Sequence, residues 1–208
     1  MGRIHLKICG VMNSEDATKL AEMGVDYIGL NFIGESTRRI EIETAMKIVS
    51  PLKASPVKTV ALFRDQPLEY ITETVSRVQP TMVQLHGSEH RSYINAIKVP
   101  AIKAVPIGRN ARYEEVEEYM KRYSVEYYLL DRETQGLGEG VDLKLAKLLI
   151  DTNQQKIILA GGITPDNIDE ILSQVQPFGI DISSGIRTKN QINFTKVERV
   201  IKSIRSGS

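Results

Sequence analysis

Short apolar or β-branched runs alternate with longer segments of helical period along the whole chain. Eight runs stand out: Ile4 to Ile8, Tyr27 to Phe32, Lys58 to Phe63, Met82 to Leu85, Ala101 to Val105, Tyr127 to Leu130, Lys156 to Leu159 and Gly179 to Ser183. Between them apolar residues recur at i, i+3, i+4 and i+7, as in Ile42, Ala45, Met46 and Val49 and again in Ile168, Ile171, Leu172 and Val175. Helical faces of that kind need a sheet to cover. Local chemistry marks several helix starts. Asn13-Ser14-Glu15-Asp16 opens the first helix and Gly24 closes it. Thr164-Pro165-Asp166 offers an N-cap, a proline at the first helical position and an acid in the first turn, and Thr195 with Glu198 fits a capping box.

Eight strand–helix units over 208 residues give a mean repeat of 26, enough for one strand, one helix and two loops. No Ser/Gly-rich linker, low-complexity tract or charge block interrupts them. The expectation is an α/β protein, a single-domain (β/α)8 TIM barrel spanning residues 1–208. The rival, an open doubly wound sheet, has no reason to stop at eight units, and no G-x-G-x-x-G follows the first strand to support a dinucleotide.

Composition narrows the function classes. The hydrophobic fraction of 41% and charged fraction of 25% match a soluble globular protein with a sizeable core. With 27 Lys plus Arg against 26 Asp plus Glu, the net charge of +1 gives no reason to expect a nucleic-acid partner. No apolar run approaches the length of a membrane span, and the first residues lack a signal-peptide core, so no membrane association is expected. The single Cys fits a reducing compartment, and the expected location is the cytoplasm. No His/Cys/Asp cluster has metal-ligand spacing, so no metal is expected. The pattern leaves the oligomeric state open.

In a barrel of this kind the chemistry sits at the C-terminal strand ends. Lys7-Ile8-Cys9-Gly10 puts the only thiol there, either as a buried small hydrophobe or as a reacting group. Tyr127-Tyr128-Leu129-Leu130-Asp131 ends a second run in a carboxylate that either caps the following loop or points into the mouth. Gly161-Gly162 after the seventh run and Ser183-Ser184-Gly185 after the eighth repeat one arrangement, a turn that brings backbone N–H groups close to an anion; together they suggest a phosphate site. Arg38 and Arg39 read either as a solvated basic turn or as a clamp for a substrate carboxylate. His86 ends the fourth run and reads either as a base or as a structural hydrogen-bonder, the structural role being favoured, and His5 and His90 show no partner.

These segments, taken in order, resemble the phosphoribosylanthranilate isomerase family of tryptophan synthesis. The resemblance rests on Lys7-Ile8-Cys9-Gly10, Gly29-Leu30-Asn31-Phe32 leading to Ser36-Thr37-Arg38, Val83-Gln84-Leu85-His86-Gly87, Leu129-Leu130-Asp131, Ala160-Gly161-Gly162 and Asp181-Ile182-Ser183-Ser184-Gly185. It implies a (β/α)8 barrel that performs an Amadori rearrangement of a small-molecule substrate without metal or organic cofactor. By matching position it implies Cys9 as general base, Asp131 as general acid and Arg38 as the contact to the anthranilate carboxylate. Gly136, Gly138, Gly161, Gly162, Ser183, Ser184 and Gly185 are implied in substrate binding. A free Cys titrates at about 8.5 and a free Asp at about 3.9, so such a site must move both toward neutrality.

Three segments depart from the family pattern. Gln135-Gly136-Leu137-Gly138-Glu139-Gly140 stands for its Gly-Gly-Thr/Ser-Gly loop, Ser36-Thr37-Arg38-Arg39 for Ser-Pro-Arg-Tyr, and Ile186-Arg187 followed by Thr188-Lys189-Asn190-Gln191 for Val-Glu and a Pro-Gly-Lys-like segment. Two other classes remain in view. A non-catalytic sugar-phosphate-binding barrel would keep the glycine turns without needing both Cys9 and Asp131. Another sugar-phosphate isomerase or epimerase would use different acid and base positions, often with a metal or a catalytic Lys.

Overall fold

The computed structural model describes residues 3–108, 110–132 and 141–206. Eight parallel strands follow one another in sequence order as a closed barrel: β1 (His5–Cys9), β2 (Tyr27–Asn31), β3 (Lys58–Phe63), β4 (Met82–Leu85), β5 (Ala101–Ile107), β6 (Tyr127–Arg132), β7 (Lys156–Leu159) and β8 (Gly179–Ile182). Each is followed by a connection carrying helix: α1 (Ser14–Glu22), α2 (Ile42–Leu52), α3 (Leu68–Val78), α4 (Ser92–Ala96), α5 (Tyr113–Lys121), α6 (Leu143–Thr152) and α7 (Ile168–Gln174). After β8 come a 3-10 turn (Ser184–Ile186), a hairpin of β9 (Arg187–Thr188) and β10 (Gln191–Ile192), and α8 (Phe194–Ser206). The strands are near-continuous apolar runs, as expected of parallel strands covered on both faces.

The chain divides into two compact units, residues 7–104 with 123–126 and, among the described residues, 3–6 with 105–122 and 127–206. In the first, β1 pairs β2 through Lys7↔Tyr27, Ile8↔Ile28 and Cys9↔Gly29, with no break in register. Phe32 and Phe63 stack at 5.4 Å and Tyr70 from α3 meets Phe63 edge-on at 6.3 Å, fixing that helix against the strands. In the second unit, aromatic packing gathers at N-terminal strand ends. Phe178, just before β8, packs on His5 at 4.4 Å and on Tyr127 at 4.8 Å, and the Lys156 ammonium sits 4.9 Å from its ring centroid.

Three expectations about helices need correction. Met46 is 41% exposed, and the face of α2 that packs inward is Ile42, Ala45, Ile48, Val49 and Leu52. Both Met46 and Ile48 fit a helical period, and only the angle of the helix on the sheet separates them. Helix α7 begins at Ile168 rather than at Pro165: Thr164 Oγ1 accepts from Asp166 N at 3.3 Å as a cap would, but Thr164 N also donates to Asn167 Oδ1 at 2.8 Å, so residues 164–167 form a turn closed by the Asn167 side chain. The cap of α8 is Asn193, whose Oδ1 accepts from Lys196 N at 3.2 Å, while Thr195 lies within the first turn. The first helix is as expected, with Asn13 Oδ1 accepting from Asp16 N at 2.7 Å.

Candidate active site

Cys9 is the last residue of β1 and is 8% exposed. A regular strand puts Lys7 on the same face two residues earlier, also buried. The thiol has room because its partner across β1 and β2 is Gly29: a Cβ there would stand 3.1 Å from Cys9 Sγ. Gly10 then turns the chain with φ +75°, and its missing side chain is the floor for Arg38, whose Cδ would be 2.7 Å from a Cβ at position 10. The loop carrying Arg38 is organised by Asn31 at the end of β2, whose side chain donates to Ser36 Oγ at 2.9 Å and accepts from Ile33 N at 2.8 Å. Ser36 Oγ in turn accepts from Arg38 N at 3.2 Å. The two arginines part company here. Arg39 points out and pairs with Glu41 at 3.0 Å, whereas Arg38 lies over Gly10 with a buried Nε that meets no hydrogen-bond acceptor among the described residues.

His86 follows β4 and is half-buried. Its backbone N–H donates to Phe63 O at 2.8 Å, but its imidazole makes no hydrogen bond among the described residues, so the structural hydrogen-bonding role expected of the side chain is not present. Burial, then the positive charges of Lys7, Arg64 and Lys103, push its pKa down from 6.5 to about 3. It is a neutral imidazole near neutral pH.

Asp131 lies within β6, one residue past the apolar run. Its Oδ1 accepts from Arg132 N at 2.9 Å and sits against Gly161 of the neighbouring strand connection. Gly161 and Gly162 have φ of +87° and +76°. Among the described residues neither of their N–H groups donates to a backbone carbonyl. Asn167 holds this turn from behind, its Nδ2 donating to Gly162 O at 3.0 Å. Ser183 follows β8, which ends at Ile182 and not at Ser183, and Ser184 and Gly185 open the 3-10 turn, where the first N–H groups have no partner inside the turn. A Cβ at Gly185 would collide with Ile163 O, so this turn and the one after β7 are in direct backbone contact. The second unit therefore brings Asp131, Gly161, Gly162 and Gly185 together, and the first brings Cys9 and Arg38 together. Gly136 and Gly138 lie outside the described residues.

Among the described residues, no group of three or more His, Cys, Asp and Glu is placed to hold a metal ion, and no helix is long and apolar enough to cross a membrane. Sequence reasoning passed over two charged residues buried in a strand or beside one, Glu89 and Lys103. The signal was available for Lys103, a charge in the middle of the run Ala101-Ile102-Lys103-Ala104-Val105, where a central barrel strand has no solvent to offer it.

Residues 6–203 match the family model for N-(5'phosphoribosyl)anthranilate (PRA) isomerase. An N-(5'-phosphoribosyl)anthranilate isomerase of Geotalea uraniireducens is 34% identical over 185 residues, covering 88% of this chain and 89% of its own. Among solved structures, the phosphoribosyl anthranilate isomerase of Thermotoga maritima superposes with a TM-score of 0.87 at 31% identity, covering 98% of this chain and 99% of that one. A phosphoribosyl anthranilate isomerase in complex with reduced 1-(o-carboxyphenylamino)-1-deoxyribulose 5-phosphate superposes with a TM-score of 0.83 at 29% identity over the same shares.

Proposed function

Because the chain belongs to the N-(5'-phosphoribosyl)anthranilate isomerase family, we propose that it converts phosphoribosylanthranilate to 1-(2-carboxyphenylamino)-1-deoxyribulose 5-phosphate in tryptophan biosynthesis. The observation that carries this reading is the family match over residues 6–203, which takes in Cys9, Arg38, Asp131 and both glycine turns. The whole chain, residues 1–208, acts as one barrel in the cytoplasm on a small-molecule substrate, with neither nucleic acid nor membrane as partner.

The rearrangement needs one proton given and one taken. Asp131 donates to the ring oxygen of the aminosugar; the C1–O bond breaks and the nitrogen lone pair forms a C1=N Schiff base. That cation acidifies the proton on C2, which the Cys9 thiolate removes, leaving an enolamine. Transfer of the 2-hydroxyl proton away and of a proton to C1 completes the ketone, so the reaction is a net isomerisation. The Arg38 guanidinium, not engaged with a carboxylate of the protein among the described residues, supplies two parallel donors for the anthranilate carboxylate. The N–H groups of Gly161, Gly162, Ser184 and Gly185 hold the phosphate, with Ser183 beside them.

The deciding experiment mixes the purified protein with freshly generated phosphoribosylanthranilate and follows loss of its fluorescence. Turnover that saturates with substrate is expected. A stable protein that binds inorganic phosphate but leaves the substrate unchanged would leave only a sugar-phosphate-binding barrel.

A further inference from the structure

The strand interior next to His86 holds a buried ion pair that the reaction as described does not use. Lys103 on β5 and Glu89 in the loop after β4 are both fully buried, with Nζ and Oε2 3.0 Å apart. The ammonium has two further acceptors, Leu85 O at 3.3 Å and Gly87 O, which are the carbonyls on either side of His86. The carboxylate accepts from Gly87 N at 3.1 Å and from Asp65 N at 3.0 Å, and the Asp65 carboxylate accepts from Ser88 N at 2.6 Å. Tyr123 closes the cluster, its ring centroid 5.2 Å from Lys103 Nζ and its hydroxyl donating to Glu89 O at 3.3 Å. A Cβ at Gly87 would overlap the Asp65 carboxylate, so a side chain there would have to displace Asp65 from its bond with Ser88 N.

This is a costly way to hold a loop. Two charges removed from water are retained only where every remaining donor and acceptor is satisfied, and apolar residues of similar volume would hold the same loop as firmly. What an apolar pair cannot do is grip the backbone on both sides of one residue. We propose that Lys103 and Glu89 are positioning residues for His86: they fix the peptide groups flanking it, so that its imidazole is presented in one orientation at the C-terminal end of β4 to hydrogen-bond a hydroxyl of the bound sugar. The identity of that sugar rests on the isomerase reading above. The charges that face His86 are Lys7, Arg64 and Lys103, with the Glu89 and Asp65 carboxylates beyond Gly87; burial first and then that positive field keep the imidazole unprotonated.

The test uses Lys103→Met/Glu89→Leu, which removes both charges together, and Glu89→Gln, which keeps the shape and the acceptor to Gly87 N. Each is read by kcat and KM for phosphoribosylanthranilate, by thermal midpoint, and by the imidazole NMR signals of His86, assigned among three histidines with His86→Asn. In the double variant kcat falls on the order of tenfold to hundredfold, as for a group displaced by a fraction of an ångström to one ångström. Inorganic phosphate still binds, and the His86 signal broadens or splits and titrates at higher pH than in the wild type. Glu89→Gln shows the fall in kcat and the broadened signal in smaller measure, with the His86 titration moved to lower rather than higher pH because the Lys103 charge is left unopposed, and it carries the test if the double variant does not fold. An unchanged kcat with an unmoved His86 signal would overturn the proposal, as would a loss of activity that follows only the loss of folded protein. The NMR arm needs no substrate, so a wild type that fails to turn over phosphoribosylanthranilate would count against the isomerase reading alone.

Discussion

The Asp131 carboxylate lies directly on Gly161: a Cβ at position 161 would stand 2.9 Å from Asp131 Oδ1 and 3.1 Å from both Arg132 N and Val141 Cγ2. One residue thus floors the proposed acid and, through its own N–H, belongs to the proposed phosphate turn. Gly161→Ala is expected to act on both. The left-handed φ of +87° costs an alanine roughly 1–2 kcal/mol, and the methyl group displaces the carboxylate. Steady-state kinetics should show kcat reduced and inorganic phosphate weakened as a competitive inhibitor. An alanine variant with wild-type kcat would separate Asp131 from the chemistry.

The same geometry at the other proposed binding position separates two neighbouring arginines. Arg39 is spent on an exposed pair with Glu41, while Arg38 is laid over Gly10 beside Cys9. Loss of a charge-assisted hydrogen bond costs roughly 1.5–3 kcal/mol, about tenfold to a hundredfold in kcat/KM. Arg38→Met should show that loss on phosphoribosylanthranilate, and Arg39→Met should stay within about twofold, as for a surface pair. Reversal of the two results would mean that the guanidinium recognising the carboxylate is Arg39.

Most of this could be read in the chain because barrel strands write themselves plainly. Lys58–Phe63, Met82–Leu85 and Lys156–Leu159 have the bounds that their apolar runs give them. The strands that ran longer are those with polar or proline ends, β5 through Pro106-Ile107 and β6 through Asp131-Arg132, where backbone pairing continues after apolar character stops. Helix caps were less legible: Asn167 and Asn193 hold turns through side-chain bonds to residues three positions away, while Thr164, which does accept from Asp166 N, and Thr195 offer the same chemistry in the sequence. Contacts such as Arg38 over Gly10 or Lys103 with Glu89 join different strand connections, and no local spacing announces them.

His86 makes stability depend on pH in a definite direction. The unfolded chain takes up a proton near pH 6.5, whereas folded His86 stays neutral down to about 3. Between those values the unfolded state binds more protons, so this contribution is complete above 6.5 and is lost progressively as pH falls toward 3. Urea midpoints at pH 7 and pH 4.5 should therefore drop further for the wild type than for His86→Asn, which has nothing to protonate. Equal drops would show that folded His86 accepts its proton freely.

The proposed acid and base make the strongest demand on the isomerase reading, because a binding barrel would need neither. A general acid or base contributes ~10²–10⁴-fold in rate, so Cys9→Ala and Asp131→Asn should each lower kcat by that order. Binding of reduced 1-(o-carboxyphenylamino)-1-deoxyribulose 5-phosphate should stay near the wild-type level in both, since Arg38 and the glycine turns are untouched. Cys9→Ser is the sharper variant: it keeps a small group in the space that Gly29 leaves open, yet its alkoxide is far less accessible than a thiolate, so it should behave as Cys9→Ala does. In the wild type, kcat/KM should rise and then fall with pH, one limb for a group that must be ionised and one for a group that must hold its proton. Both limbs belong to the pair, and each variant should remove or shift one of them. Wild-type turnover in Cys9→Ala and Asp131→Asn, in preparations free of the host enzyme, would rule out both roles and return the assignment to another acid and base on the same strand ends.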